Sequence, residues 1–201
     1  MAHAVHRVCP WWLGWALASP LRRLWQDPAA ILAPHLRPGM IVLEPGPGMG
    51  FFTLEAARRV GPTGRVVAVD LQPRMLAGLR RRAERAGLSR TVEARLASAD
   101  SLGIDDLAGR VDLVLAFAMV HEVADAGRFF AEVRRALAPQ GRVFLAEPSG
   151  HVSGEAFQAT LEVARREGLL AEPGPAIRRS LTAILAPPPP GFRPAQGAAL
   201  G

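Results

Sequence analysis

The chain has 201 residues, 49% hydrophobic and 21% charged, the balance of one globular domain with short appendages. No apolar run reaches the ~18 residues of a membrane span, and the single cysteine, Cys9, excludes an internal disulfide framework and suits a reducing, cytoplasmic setting. The net charge of +6 suggests a nucleic-acid partner, but all 24 basic residues are arginine, as GC-rich coding would give, and Arg80, Arg81, Arg82 and Arg85 have the spacing of a solvated helix face.

Residues 1–37 read as a helical cap or lid. They hold all four tryptophans, Trp11, Trp12, Trp15 and Trp25. Pro10 and Gly14 interrupt the apolar stretch that would otherwise resemble a secretory signal. Pro20 opens a helix with Leu21, Leu24 and Trp25 on one face, and Asp27-Pro28 opens a second carrying Ile31 and Leu32. His3, His6 and Cys9 share a helical spacing, but no fourth ligand is near and no metal is expected.

From Met40 the pattern becomes regular. Ile41–Leu43 is a buried strand, followed by a glycine-rich turn and a helix over Phe52–Val60. Val66–Val69 is a second strand, ending at Asp70, and Pro73–Ala86 is a helix stopped by Gly87. Val92–Ala97 and Val111–Phe117 are strands, and Gly127–Leu137 is a helix broken by Pro139. Arg142–Ala146 is the fifth strand, Gly154–Glu167 a helix and Ser180–Leu185 a last strand. Apolar strands alternating with amphipathic helices specify an α/β fold with a largely parallel sheet covered on both faces. The main domain spans 38–186, and the Pro/Gly-rich stretch 187–201 is expected to be disordered.

The segment that carries chemistry is Glu44-Pro45-Gly46-Pro47-Gly48-Met49-Gly50-Phe51. A strand runs into three glycines and then a helix, so a ligand can lie against the backbone at the carboxyl edge of the sheet. The spacing is not that of a dinucleotide fingerprint: the third glycine comes one place early and Phe51 occupies the Gly/Ala position. A phosphate loop is excluded because no Gly-Lys-Ser/Thr follows. Glu44 would repel a pyrophosphate and suits a ligand carrying an ammonium group.

Glu44-x-Gly46-x-Gly48-x-Gly50 resembles motif I of the class I S-adenosylmethionine-dependent methyltransferases, most closely the bacterial small-molecule type. Three further positions fit in order. Asp70 stands where the family's acid bonds both ribose hydroxyls, with Leu71 at the apolar position packed on adenine. Asp100 and Ser101 follow the third strand, where the family contacts the adenine amino group. Asp112 to Phe117 fits the fourth strand, beneath the methyl-transfer centre. The resemblance implies a Rossmann-like three-layer sandwich with a seven-stranded, mostly parallel sheet, the last strand antiparallel, and a further strand near Leu170–Ala176. It implies S-adenosyl-L-methionine as cofactor, held by Glu44, Gly46, Pro47, Gly48, Gly50, Asp70, Leu71, Asp100, Ser101 and Phe117.

His121, in Met119-Val120-His121-Glu122, is the candidate base for a small acceptor that must lose a proton, with Glu122 orienting or charging it. The plainer reading is that His121 and Glu122 begin the next helix. Glu147 and His151 could face the acceptor, or form a polar loop. Arg178-Arg179 could meet an anionic group. The tryptophans either roof the pocket, hinting at an apolar or aromatic acceptor, or pack a cap helix or a homodimer surface. Competing functions are a nucleotide-dependent oxidoreductase, a non-catalytic S-adenosylmethionine-binding module and an RNA methyltransferase. Phe117-Ala118-Met119-Val120 lacks the Asn/Asp-Pro-Pro-aromatic pattern that holds a flipped base.

Overall fold

The computed structural model describes residues 26–189. The tryptophans, the His3/His6/Cys9 group, the helix expected at Leu21 and residues 190–201 lie outside them. Asp27 caps the short helix α1 (Pro28–Leu32), accepting from the Ala29 N–H at 2.9 Å, and Pro28 needs no N–H in its first turn. Leu32 and Leu36 are buried in one cluster with Val42, Leu113 and Phe144, so this part of the expected cap packs as part of the domain.

Seven strands follow: β1 (Ile41–Pro45), β2 (Arg65–Asp70), β3 (Val92–Leu96), β4 (Val111–Phe117), β5 (Leu137–Pro148), β6 (Leu170–Pro173) and β7 (Ser180–Ala186). The helices between them are α2 (Thr53–Val60), α3 (Pro73–Arg85), α4 (Ala126–Ala136) and α5 (Gly154–Arg166). They form one sheet in the order β3-β2-β1-β4-β5-β7-β6. β3 to β5 pair in parallel, and β7 runs antiparallel between β5 and β6. The seventh strand expected near Leu170–Ala176 is thus β6, and the last strand is the antiparallel one.

Alternation along the strands splits the core in two. Leu43, Val67, Val114, Val143 and Leu145 pack with Phe129, Phe130 and Val133 of α4 and Phe157 of α5. Val42, Val66, Leu113, Leu115 and Phe144 pack with Leu32, Leu36 and the inner face of α2. Leu79 and Ala83 of α3 close over Ala68 and Leu54. Edge strand β3 is guarded by charge, with Arg95 pairing Glu93 and Asp106 at 2.7 and 2.6 Å.

Two boundaries depart from the sequence expectation. Leu137 is not the last residue of its helix: it caps α4 in an extended conformation (φ −62°, ψ 132°) and pairs with Val111 at the start of β5. Pro139 limits how far the helix can run, since Ala138 before it avoids the helical region. The register then shifts between Val111 and Leu113. His121 and Glu122 do not start α4 either. They lie in a separate 3-10 turn, Val120–Glu122, and α4 begins after its own cap at Asp125.

Candidate active site

Among the described residues, the glycine loop, Asp70, Asp100-Ser101 and the His121 turn follow β1, β2, β3 and β4 at the carboxyl edge of the parallel strands. The loop after β1 turns through Gly46, Gly48 and Gly50, each with positive φ. The three glycines serve different ends. A Cβ on Gly50 would stand 2.5 Å from Leu79 Cδ1, so this glycine lets α3 pack against the loop. A Cβ on Gly48 would meet nothing within 4 Å, leaving open space above its backbone. Arg82 braces the loop through its guanidinium on the Met49 carbonyl, 2.5 Å away. Pro47 is buried within the loop.

Glu44, at the end of β1, is 4% exposed. Neither Glu44 Oε2 nor the buried Thr53 Oγ1 has a well-formed hydrogen bond. Burial pushes the Glu44 carboxyl up to about 7, with the nearby Thr53 hydroxyl opposing the shift. A buried carboxylate oxygen with no well-formed hydrogen bond, beside an open glycine loop, is the pattern expected where a ligand supplies a donor.

Asp70 closes β2. Burial pushes its carboxyl up to about 6, opposed by the N–H groups of Gln72, Gly48 and Leu71, and raised further by the charge of Glu122. The Gln72 N–H donates to Asp70 Oδ1 at 2.8 Å. Leu71 beside it is 47% exposed, an uncovered apolar side chain at the rim of the loop. Asp100 lies farther out, with an 87% exposed side chain paired to Arg128 at 2.8 Å. Ser101 Oγ donates to Glu132 Oε2 at 3.3 Å. The two residues therefore stand at the same edge with partners of their own.

The turn after β4 carries the titratable cluster. Met119 packs over the loop, its Cβ 3.0 Å from where a Gly46 Cβ would be. His121 is partly exposed, with Nδ1 2.5 Å from Glu147 Oε2. Its Nε2 lies 3.9 Å from Glu122 Oε1, beyond hydrogen-bond length. Glu147, rather than Glu122, is thus the carboxylate within hydrogen-bond length of the His121 ring. Sequence spacing hid this because the pair spans 26 residues and joins two neighbouring strand ends. Burial raises the Glu147 carboxyl above its usual range, while His121 and the Val120 and His121 N–H groups pull it down. The His151 ring lies 6.1 Å from the His121 ring.

On the other side of the β4 end is a small open cleft of about 60 Å³. Phe52, Phe117 and Ile177 give apolar walls, and Gln26 and Ser180 line it too. Phe117 stands edge-on between Phe52 and Phe144, at 4.7 and 4.9 Å, so the aromatic wall is held by its neighbours. Among the described residues, the two non-glycine residues with positive φ are Ala118 (53°) and Arg179 (60°). Ala118 lines this cleft and Arg179 adjoins Ser180, so backbone strain collects at its rim. Arg178 and Arg179 are exposed.

Among the described residues there is no cluster of three or more His, Cys, Asp or Glu side chains able to hold a metal, and no helix long and apolar enough to cross a membrane. In the basic helix α3, Arg80 is bonded to the Ala94 carbonyl and Arg82 to that of Met49, so two of its arginines serve the fold.

Comparison with known proteins agrees with this arrangement. A family model described as a methyltransferase domain matches residues 36–171. The chain is 32% identical over 127 residues to the ubiquinone/menaquinone biosynthesis C-methyltransferase UbiE of Hydrogenovibrio crunogenus, covering 63% of this chain and 49% of that protein. It is 33% identical over 121 residues to an arsenite methyltransferase of Halobacterium salinarum, covering 60% and 30%. The chain thus spans half or less of the length of these relatives. Among solved structures, a SAM-dependent methyltransferase from Aquifex aeolicus superposes with a TM-score of 0.78 at 22% identity, over 89% of this chain and 98% of that one. The cyclase SpnF superposes at 0.65 and 16% identity, over 79% and 80%. The matched family model, together with the seven-stranded fold, establishes that the chain belongs to the class I S-adenosylmethionine-dependent methyltransferase family.

Proposed function

We propose that the chain binds S-adenosylmethionine at the glycine loop and methylates a small apolar or aromatic acceptor. The observation that carries the first half is the buried Glu44 oxygen with no well-formed hydrogen bond, beside open space over Gly48. That pair fits the cofactor: an ammonium group answers the carboxylate, and the uncovered backbone admits the chain of the ligand. Asp70 offers two acceptor oxygens to a vicinal diol, with Leu71 to pack on a base and Asp100 and Ser101 at its far edge. When bound, the cofactor supplies a methyl carbon activated by a cationic sulfur, so alignment of the acceptor provides much of the acceleration.

The second half rests on the cleft. Its Phe52, Phe117 and Ile177 walls favour a flat apolar molecule over a small inorganic anion such as arsenite. His121, across the β4 end from the cleft, is the base for an acceptor hydroxyl or acidic C–H, with Nε2, the ring nitrogen that does not meet Glu147, taking the proton. The relatives named above methylate carbon and arsenite, and the neighbour SpnF is a cyclase, so the fold alone does not name the acceptor. Incubation with S-adenosylmethionine and, separately, 1,4-naphthohydroquinone, 1-naphthol, arsenite and a structured RNA, followed by mass spectrometry, tests the reading. Methylated naphthol or hydroquinone is expected. Methylated RNA or arsenite alone would contradict the acceptor class. Cofactor binding with no product from any of them would favour the non-catalytic binding module.

A further inference from the structure

We propose that Glu147 is a positioning residue that holds His121 in a single tautomer, protonated at Nδ1, so that Nε2 is the ring atom that accepts a proton. This rests on the reading of His121 as the base. Glu147 sits at the end of β5 and is 1% exposed. Its two oxygens are divided between two partners: Oε1 accepts from the Val120 N–H at 2.8 Å, and Oε2 meets His121 Nδ1 at 2.5 Å. One carboxylate therefore fixes both the backbone of the turn and the ring it carries.

The turn alone does not require a charge there. A neutral side chain with one acceptor oxygen would satisfy the Val120 N–H, whereas burying a carboxylate is costly. The second oxygen meets the imidazole Nδ1 at 2.5 Å, and the His121 N–H also faces the carboxylate. An ionised carboxylate accepts and cannot donate, so it selects the ring with its proton on Nδ1. The opposite nitrogen, Nε2, then carries the lone pair. In the step this serves, an acceptor X–H gives its proton to Nε2, the bonding pair stays on X, and the imidazole becomes an imidazolium. That cation would lie between two carboxylates, Glu147 at Nδ1 and Glu122 at 3.9 Å from Nε2. The neighbouring Met119 packs on the glycine loop, which sets this proton acceptor beside the cofactor site.

The test is two-bond proton–nitrogen NMR on the full chain with 15N-labelled histidine, at about pH 8, above the ordinary titration range of an imidazole. His121→Asn identifies the resonance. The expected spectrum has His121 protonated at Nδ1. In Glu147→Gln the amide oxygen stays on the Val120 N–H and the amide NH2 faces Nδ1, so the proton moves to Nε2. Affinity for S-adenosylhomocysteine should stay within about threefold in that variant, which a collapsed site would not allow. A wild-type His121 protonated at Nε2 overturns the proposal, even if the Gln variant does not fold. So does a folded Gln variant that keeps Nδ1 protonated. Failure of the wild type to bind S-adenosylhomocysteine would overturn the proposed function instead, and the tautomer would still be read independently.

Discussion

The two halves of the carboxyl edge are built differently. Around β1 and β2 the site is made of backbone turns and strand-end carboxylates: Gly46 to Gly50, Glu44 and Asp70. Around β4, β5 and β7 it is made of side chains gathered from distant segments: Phe52, Phe117, Ile177, His121 and Glu147. A site held by the backbone can stay the same while the side chains facing it change. That division suits a fold whose members share a ligand and differ in what they act on.

The largest expected effect separates the halves directly. His121→Ala should lower the methyl-transfer rate by about 10²–10⁴-fold, the usual contribution of a general base. It should leave S-adenosylhomocysteine affinity nearly unchanged, since no cofactor contact is assigned to the ring. Loss of both, measured by product formation and calorimetry, would mean that the halves are not separable.

The next contrast lies within the cofactor half. Gly50→Ala drives a Cβ to 2.5 Å from Leu79 Cδ1 at φ +86°, and should cost roughly 2–3 kcal/mol of stability in denaturant melts. Gly48→Ala meets no neighbour, and should cost only about 1 kcal/mol for its positive φ while weakening cofactor binding. Equal destabilisation by the two would show that the space above Gly48 is not open.

The smallest effect concerns pH. Glu44 has a carboxyl at about 7, above its unfolded value of 4.5, so the folded protein binds more protons than the unfolded chain between those values. Its contribution to stability is complete below about 4.5 and is lost as pH rises through about 7. The loss is on the order of 3 kcal/mol between roughly pH 4.5 and 7. Asp70, raised to about 6, acts in the same direction at lower pH. Glu44→Gln should flatten thermal stability over that interval. An ammonium ligand favours the ionised carboxylate, so cofactor binding near pH 6 should release protons in wild type and release fewer in Glu44→Gln. A Glu44→Gln profile as steep as wild type would refute the assignment.

The same division governs what could be read from the chain. Glu44, the glycines and Asp70 follow strands within a short stretch, so local spacing reveals them. The sheet was legible for a similar reason: β1, β2 and β4 are apolar runs with turns between them. β6 has four residues, mostly exposed, and ends on Pro173, so hydrophobicity carries no trace of it. It was expected only from the family resemblance. Glu147 reads as the end of a strand before Pro148, and nothing local reveals that its side chain meets a histidine 26 residues earlier. Phe52 and Ile177 read as core or loop residues until the fold brings them to one cleft. Local motifs expose what backbone turns hold, whereas a side-chain-built pocket depends on strand order and register.

The most direct test is calorimetric titration of the purified chain with S-adenosylhomocysteine, with NAD as control and Asp70→Ala alongside. Saturable binding at one site, an affinity about 100-fold lower in Asp70→Ala from loss of two hydrogen bonds to a charged acceptor, and no response to NAD are the expected results. A folded wild-type chain that binds no S-adenosylhomocysteine, or an Asp70→Ala variant that binds it equally well, would contradict the assignment of the glycine loop and Asp70 as the cofactor site.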